Sequence, residues 1–212
     1  RKNMTLGFPT GLDKLELSEV YHDAHLKSIT PIPHEVVDKG PVLENVLEGA
    51  DVDLSKFPTP FWHPDDGGRY IGTGSYGVTV DPDTGWMSIG NYRVMVHDKM
   101  TVGYFISSDK HGRSHGDKYF ERGKRMPMVI VVGGDPMTFL TSRTEMAQGV
   151  LEYDFVGALR GEALKVIRGR YTEIPFPADA EIVLEGFVDP EERRIEGPFG
   201  EWTGYYSSAM RE

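Results

Sequence analysis

Short strand-like segments separated by turns constrain the fold of this chain more than any other feature. Residues 76–80 alternate apolar with small or polar side chains, and the alternation resumes over residues 86–96. The Asp-Pro-Asp-Thr-Gly run at 81–85 between them is a strong turn signal. Period-two alternation on both sides of a turn predicts a β-hairpin. No helical pattern follows the Gly-x-Gly at 72–74, which argues against a dinucleotide-binding fold.

The remaining segments predict more strands and few helices. Strands are predicted at residues 101–106, 128–132 and 181–188, and helical segments at residues 12–22, 117–125, 149–159 and 161–168. Glycine is abundant, with 25 residues, and it separates several of these segments. Together they predict an α+β fold with a barrel-like core rather than a doubly wound sheet.

Composition excludes several kinds of partner and site. The chain has 23 Lys and Arg against 33 Asp and Glu, a net charge of −10, which argues against a nucleic-acid partner. It has no cysteine, so disulfides, zinc–thiolate sites and a thiol nucleophile are excluded. No apolar run reaches membrane-spanning length and the N-terminus does not resemble a signal peptide. The sequence therefore predicts a cytoplasmic protein without a membrane partner.

Residues 196–201, Glu-Gly-Pro-Phe-Gly-Glu, place two carboxylates at the ends of a segment rich in glycine and proline. Proline fixes φ and glycine frees it, which favours a turn or an irregular strand over a helix. Two acids aimed at one small volume cannot both be charged easily, so one stays ionised while the other keeps its proton. Such a pair suits proton donation. The alternative interpretation is a surface turn with solvated acids.

Six segments stand in the same order as in one enzyme family. They are residues 66–71 (Asp-Gly-Gly-Arg-Tyr-Ile), Arg93 with 95–99, His111, 152–154, 177–186 and 196–201. Together they resemble the UbiD-type decarboxylases, which use prenylated flavin mononucleotide (prenylated FMN). The likeness extends over nearly the whole chain, from Pro31 onward.

The resemblance implies a fold, a reaction and three catalytic residues. The fold is a split β-barrel related to flavin-reductase barrels, with flanking helices. The reaction is the reversible decarboxylation of an aromatic or α,β-unsaturated carboxylic acid. Arg93 would hold the substrate carboxylate, Glu201 would return the proton to carbon, and Glu196 would orient Arg93. By itself, an arginine in a strand is more often solvated or salt-bridged, so the role of Arg93 depends on the resemblance.

The resemblance also implies a divalent cation that links the cofactor phosphate to the protein. The family ligands are Asn, His and Glu; His111 and Glu152 match, but Ser88 stands at the Asn position. Hard oxygen ligands with one imidazole suit Mn²⁺ or Mg²⁺, and potassium is a further expected cation. Asn91 would project to the opposite face of a strand from Ser88, so the ligand role stays with Ser88. The implied cofactor contacts are Ser88, Ile89, Asn91, Tyr92, Arg93, Lys110, His111 and Glu152.

The predicted organisation has two parts. Residues 1–62 are expected to be the remnant of an N-terminal region with a connecting arm, and residues 63–212 the prenylated-FMN-binding split-barrel domain. The ends do not resemble finished domain termini, so a fragment is expected, without the family's C-terminal domain. The full-length protein is expected to be a homo-oligomer.

Two other functions are open at the level of sequence. One is a flavin-binding module or inactive fragment without decarboxylase activity, which the serine at position 88 favours. The other is a metal-dependent hydrolase built on His111, His115 and Glu152, which leaves residues 196–201 unexplained.

Overall fold

The computed structural model describes residues 7–26, 30–144, 146, 149–207 and 210–211. The helices among them are α1 (Lys14–Leu26), α2 (His111–Phe120), α3 (Pro136–Thr141) and α4 (Glu152–Arg160). The strands are β1 (Glu35–Val36), β2 (Arg69–Gly72), β3 (Ser75–Val80), β4 (Met87–Gly90), β5 (Val94–Val96), β6 (Val102–Tyr104), β7 (Met126–Val132), β8 (Lys165–Arg168), β9 (Pro175–Pro177), β10 (Ile182–Val188), β11 (Ile195–Glu196) and β12 (Met210–Arg211). Short 3-10 turns lie at Pro41–Leu43, Gly49–Asp51 and Leu54–Lys56.

The largest sheet has the order β10-β7-β3-β4, and all of its pairs are antiparallel. The predicted hairpin is confirmed for β3 and β4, where Thr79 pairs with Ser88. Its second strand is shorter than predicted, because the chain leaves the sheet after Gly90. The side-chain Nδ2 of Asn91 donates to the carbonyl oxygens of Thr73 and Ser75, which takes the chain out of the ladder.

Three smaller sheets accompany the large one. β5 lies between β2 and β6, β8 lies between β1 and β9, and β11 pairs with β12. The pairing of β1 with β8 is parallel, whereas the other pairs are antiparallel. The described residues therefore have the predicted mixed α+β fold, and their strands form separate sheets rather than one closed barrel.

The helix predictions were partly right. α1 and α4 confirm two of the predicted helical segments, and α2 begins at His111, six residues before the predicted start. The helix predicted at residues 161–168 is wrong. Gly161 ends α4 in the left-handed conformation, with φ of 77°, and the following residues form β8. Val166 and Ile167 are buried there in the core, which favours a strand for these β-branched residues.

Three apolar clusters position the candidate site. The largest joins β3, β4 and β7 to α4, β8 and β9, and includes Tyr76 and Tyr153. A second cluster, around Val94 and Met126, fills the other face of the large sheet. A small third cluster of Tyr70, Met95 and Phe199 attaches residues 196–201 to the sheet of β2 and β5. Within the described part of the chain, no helix has the length and apolar character needed to cross a bilayer.

Candidate active site

Arg93 lies between two glutamates in the segment that joins β4 to β5. Its Nε and Nη2 donate to Oε1 and Oε2 of Glu196 at 2.8 and 2.7 Å. Its Nη1 donates to Oε1 of Glu201 at 2.8 Å. The Glu196 side chain is fully buried, whereas that of Glu201 is 40% exposed. The fold thus brings together the three predicted catalytic residues and makes the two carboxylates unequal.

The guanidinium stays charged in this setting. Burial by itself lowers the pKa of Arg93, but the hydrogen bond and the negative charge of Glu196 outweigh it and raise that pKa. A buried fork between guanidinium and carboxylate has defined geometry as well as favourable energy. Glu201 makes one bond to the same guanidinium from the open side.

Asp66 and Gly67 hold the loop that carries both glutamates. The buried Asp66 carboxylate accepts from the backbone nitrogens of Trp62, His63 and Gly200 at 3.0, 2.9 and 2.8 Å. Gly67 N donates to the Pro198 carbonyl at 2.7 Å. A Cβ on Gly67 would lie 2.0 Å from a carbonyl oxygen of the loop, so only glycine fits. Sequence reasoning included this Asp-Gly-Gly segment in the family pattern but assigned it no role.

Sequence reasoning also missed Tyr70 and Phe199. The Tyr70 hydroxyl donates to Glu196 Oε1 at 2.7 Å, across 126 residues of sequence. Its ring lies 4.5 Å from that of Phe199, and the Arg93 guanidinium lies 5.6 Å from the Phe199 ring. Both residues belong to segments that the family pattern contains. A single sequence has no signal that their side chains meet.

The other predicted residues line a pocket of about 290 Å³ beside β4 and the first turns of α2 and α4. Those that line it are Ser88, Ile89, Asn91, Tyr92, Lys110, His111 and Glu152. Arg93 follows directly in the chain but is not part of the lining. Ser142, Arg143 and Thr144, which follow α3, also line the pocket and were not predicted. The pocket therefore collects the proposed metal ligands and two cationic side chains, Lys110 and Arg143.

Glu152 is the buried acid of this pocket. Its Oε1 accepts from Ser88 Oγ at 3.3 Å and from Ile89 N at 3.1 Å. Its Oε2 is buried and has no hydrogen-bond partner among the described residues. Burial raises the pKa of Glu152 to about 7, although hydrogen bonds from Ile89 and Ser88 act in the opposite direction. An unpaired buried carboxylate oxygen beside a hydroxyl is a suitable donor set for a hard cation.

Histidine contributes less to this pocket than the hydrolase alternative requires. His111 is the first residue of α2 and its ring packs against Trp86, at 4.8 Å between centroids. His115 Nδ1 is hydrogen-bonded to Thr79 Oγ1 at 3.0 Å, and burial lowers the pKa of His115 to about 4. Across the described residues, no three His, Asp or Glu side chains lie close enough to hold a metal ion alone. A cation in the pocket therefore needs at least one further ligand, such as the Ser88 hydroxyl.

Asn91 lines the same pocket, three residues after Ser88. It lies just after the end of β4 rather than within an extended strand, so the geometric premise for its orientation was wrong. Its side-chain nitrogen is engaged by the carbonyls of Thr73 and Ser75, and its backbone nitrogen donates to Ser142 O at 3.1 Å. The assignment of the ligand role to Ser88 stays a prediction.

The buried acid predicts a pH dependence of stability. The pKa of Glu152 rises from 4.5 to about 7 on folding, so the folded metal-free protein holds one more proton than the unfolded chain between these values. The contribution of Glu152 to stability therefore falls as the pH rises through this range, by roughly 3 kcal/mol in total, while the lowered pKa of buried His115 acts in the opposite direction. Chemical denaturation of the wild-type protein and of Glu152→Gln at pH 5 and pH 8 measures this contribution as the difference between their pH dependences. The exposed Glu121→Gln is the control, and equal pH dependence in both variants would contradict the expectation.

The comparison with protein families identifies the class of protein. The profile of the UbiD family, described as the 3-octaprenyl-4-hydroxybenzoate carboxy-lyase Rift-related domain, matches residues 34–212. This chain belongs to the UbiD family.

Named relatives are decarboxylases. The pyrrole-2-carboxylic acid decarboxylase of Pseudomonas aeruginosa is 37% identical over 175 residues, which are 82% of this chain and 35% of the relative. The vanillic acid decarboxylase of Sedimentibacter hydroxybenzoicus, in its closed form, is 30% identical with a TM-score of 0.91. That match covers 100% of this chain and 45% of the other.

A further similar structure was solved with a flavin. It is an evolved dimeric form of the UbiD-class enzyme HmfF from Pelotomaculum thermopropionicum, in complex with prFMN. It is 26% identical, has a TM-score of 0.88, and matches 99% of this chain and 47% of its own length. The chain thus spans less than half the length of each of these three relatives.

Proposed function

We propose that this chain is the cofactor-binding part of a prenylated-FMN-dependent decarboxylase. Its substrate is an aromatic or α,β-unsaturated carboxylic acid, and the reaction is reversible. The observation that carries the proposal is the pairing of Arg93 with two different glutamates. One edge of its guanidinium binds buried Glu196, and the other binds the partly exposed Glu201. A guanidinium with one fixed carboxylate and one exchangeable carboxylate can accept a third carboxylate, that of a substrate.

In this proposal the two edges of Arg93 have different tasks. Nε and Nη2 stay with Glu196, because its side chain is fully buried and is not accessible to other ions. Nη1 exchanges Glu201 for the substrate carboxylate, because Glu201 makes only this bond to Arg93 and is accessible. The released Glu201 then lies beside the substrate that displaced it.

Glu201 is the proposed acid and base. Loss of CO₂ leaves an electron pair on carbon, which Glu201 protonates by donating its carboxyl proton. Its 40% exposed side chain allows a new proton to arrive from solvent. In the carboxylation direction the same carboxylate accepts the proton from carbon.

The pocket at Glu152 fits the phosphate end of the cofactor. Ser88, His111 and Glu152 would hold Mn²⁺ or Mg²⁺ between the protein and the phosphate, and the unpaired Glu152 Oε2 supports this. Arg143 and the N-terminus of ten-residue α2 add positive charge on the same side, and so does Lys110, whose charge is partly offset by Asp109 at 3.3 Å. The bound prenylated flavin supplies the electron sink that side chains lack. A potassium ion is a further proposed component.

We also propose a domain organisation, an assembly and a location for the full-length protein. The sheets of β3 and β5 would form the split barrel, residues 63–212 its domain, and residues 1–62 the arm that leads to it. A homo-oligomer in the cytoplasm is proposed for the full-length protein. The net charge of −10 argues against a nucleic-acid partner, and a small acid would depend on Arg93 as a local positive charge.

A flavin-binding module without decarboxylase activity is the second candidate, because Ser88 stands where the family has Asn. The two candidates differ in turnover. Protein produced with the prenylated cofactor is assayed by visible absorption, metal analysis and CO₂ release from a panel of aromatic and unsaturated acids. Bound flavin and metal without any CO₂ release would favour the module.

The metal assignment has its own expected result. Glu152→Gln removes the one charged ligand of the proposed set and lowers the affinity for Mn²⁺ by at least the roughly 10–100-fold that loss of an outer-shell partner costs, with loss of flavin in parallel. Ser88→Asn supplies an amide oxygen and tightens Mn²⁺ binding. Equilibrium dialysis measures both, with Glu121→Gln as the matched charge control on the far end of α2. Unchanged Mn²⁺ affinity in both pocket variants would exclude these ligands.

A further inference from the structure

Tyr70 and Arg93 donate hydrogen bonds to the same carboxylate oxygen. The Tyr70 hydroxyl lies 2.7 Å and Arg93 Nε 2.8 Å from Oε1 of Glu196. The other oxygen, Oε2, accepts from Arg93 Nη2. Glu196 is therefore held by three donors, and Tyr70 is the one that does not move with the guanidinium.

Tyr70 is itself fixed in three ways. Its backbone nitrogen donates to Pro60 O at 3.1 Å, and its residue pairs with Met95 across β2 and β5. Its ring has no exposed surface and packs 4.5 Å from Phe199. The hydroxyl is thus a rigid reference point attached to the sheet.

The hydroxyl keeps its proton. Burial, followed by the hydrogen bond and the charge of Glu196, raises the pKa of Tyr70 well above its ordinary value. Tyr70 is therefore a neutral donor at physiological pH. It can donate a hydrogen bond to the Glu196 carboxylate without placing a second negative charge beside Arg93.

His97 is a further titratable side chain close to Glu196. A Cβ on Gly103 would lie 2.5 Å from His97 Nε2 and 3.6 Å from Glu196 Cγ, so both side chains flank this glycine. Burial, together with the positive charge of Arg194, lowers the pKa of His97. Its Nε2 has no hydrogen-bond partner among the described residues. His97 does not take over the role of Tyr70.

We infer that Tyr70 is a positioning residue that locks Glu196 in place, so that Arg93 keeps its Nη1 edge for Glu201 and the substrate carboxylate. Without the hydroxyl, the side-chain hydrogen bonds to Glu196 among the described residues come from Arg93 alone, so the buried carboxylate can turn together with the guanidinium. The Nη1 edge then loses its fixed direction. This role rests on the proposed function, but the arrangement of Arg93 is measurable without any reaction.

Tyr70→Phe tests the role because it removes the hydroxyl and keeps the ring against Phe199. Tyr76→Phe is the matched control, since Tyr76 is also buried but belongs to the largest core cluster. In the intact protein, ¹H–¹⁵N NMR of arginine side chains observes the Arg93 Nε–H group, assigned with Arg93→Lys. The cofactor-loaded protein is assayed for flavin content, kcat and KM, and thermal denaturation gives Tm.

The expected result is a shifted Arg93 Nε–H resonance and a kcat/KM lowered by about 10–100-fold in Tyr70→Phe, with flavin content unchanged. Tyr76→Phe leaves the resonance and kcat/KM unchanged, whatever its effect on Tm. An unmoved resonance in Tyr70→Phe overturns the role of Tyr70. So does a shifted resonance with wild-type kcat/KM. If the resonance is shifted in Tyr70→Phe but the wild-type protein releases no CO₂, the positioning of Arg93 by Tyr70 is supported and the proposed function is overturned instead.

Discussion

Glu201→Gln is expected to lower the rate of decarboxylation by about 10²–10⁴-fold in the intact, cofactor-loaded protein. Glutamine keeps the size of the side chain and a hydrogen bond to Arg93 Nη1, but it has no acidic proton to give to carbon. Flavin and metal content should stay unchanged, because Glu201 does not line the pocket that contains Glu152.

Incorporation of solvent deuterium into the product is the discriminating measurement for Glu201. The exchange of the product's vinylic or aromatic hydrogen uses the same proton, so it falls in parallel with turnover. Glu196→Gln is expected to have a different effect. It weakens the two hydrogen bonds that orient Arg93, and so it affects substrate binding as well as turnover. Glu191→Gln, an exposed acid before β11, is the control. Exchange at the wild-type rate in Glu201→Gln would mean that the proton comes from another group.

Arg93→Lys is expected to lower turnover by about 10²–10³-fold while flavin stays bound. Lysine keeps the positive charge, but its ammonium group cannot bond Glu196 through two parallel donors and still present a third donor to the substrate. KM for the acid should rise together with the loss of kcat, because the same donor binds and orients the carboxylate.

The control for Arg93 is Arg194→Lys, which changes a surface arginine paired with Asp98 and Glu192. Steady-state kinetics and the flavin spectrum are recorded for both variants. Full turnover by Arg93→Lys would remove Arg93 from the catalytic residues, whereas loss of flavin would move its role to cofactor binding.

Local chemistry made much of the fold predictable. The β3–β4 hairpin depends on alternation and on a turn of Asp, Pro and Gly, which are preferences of neighbouring residues. The predictions failed where a distant contact decided the conformation. Asn91 leaves the strand because its amide reaches the carbonyls of Thr73 and Ser75. Residues 165–168 form β8 because they pair with β1 and β9, which no local helical pattern could reveal.

The sequence by itself predicted which residues carry the proposed chemistry, because its resemblance to the UbiD family pointed to Arg93, Glu196 and Glu201, and its charge argued against a nucleic-acid partner. Only the tertiary structure decided how the two glutamates differ. Glu196 is buried against Arg93 and Tyr70, and Glu201 lies at the open side. Burial and hydrogen bonding set the behaviour of a carboxylate, and both depend on residues more than a hundred positions away in the chain. For this reason, the hydrogen bond from Tyr70 to Glu196 could not be predicted from a single sequence.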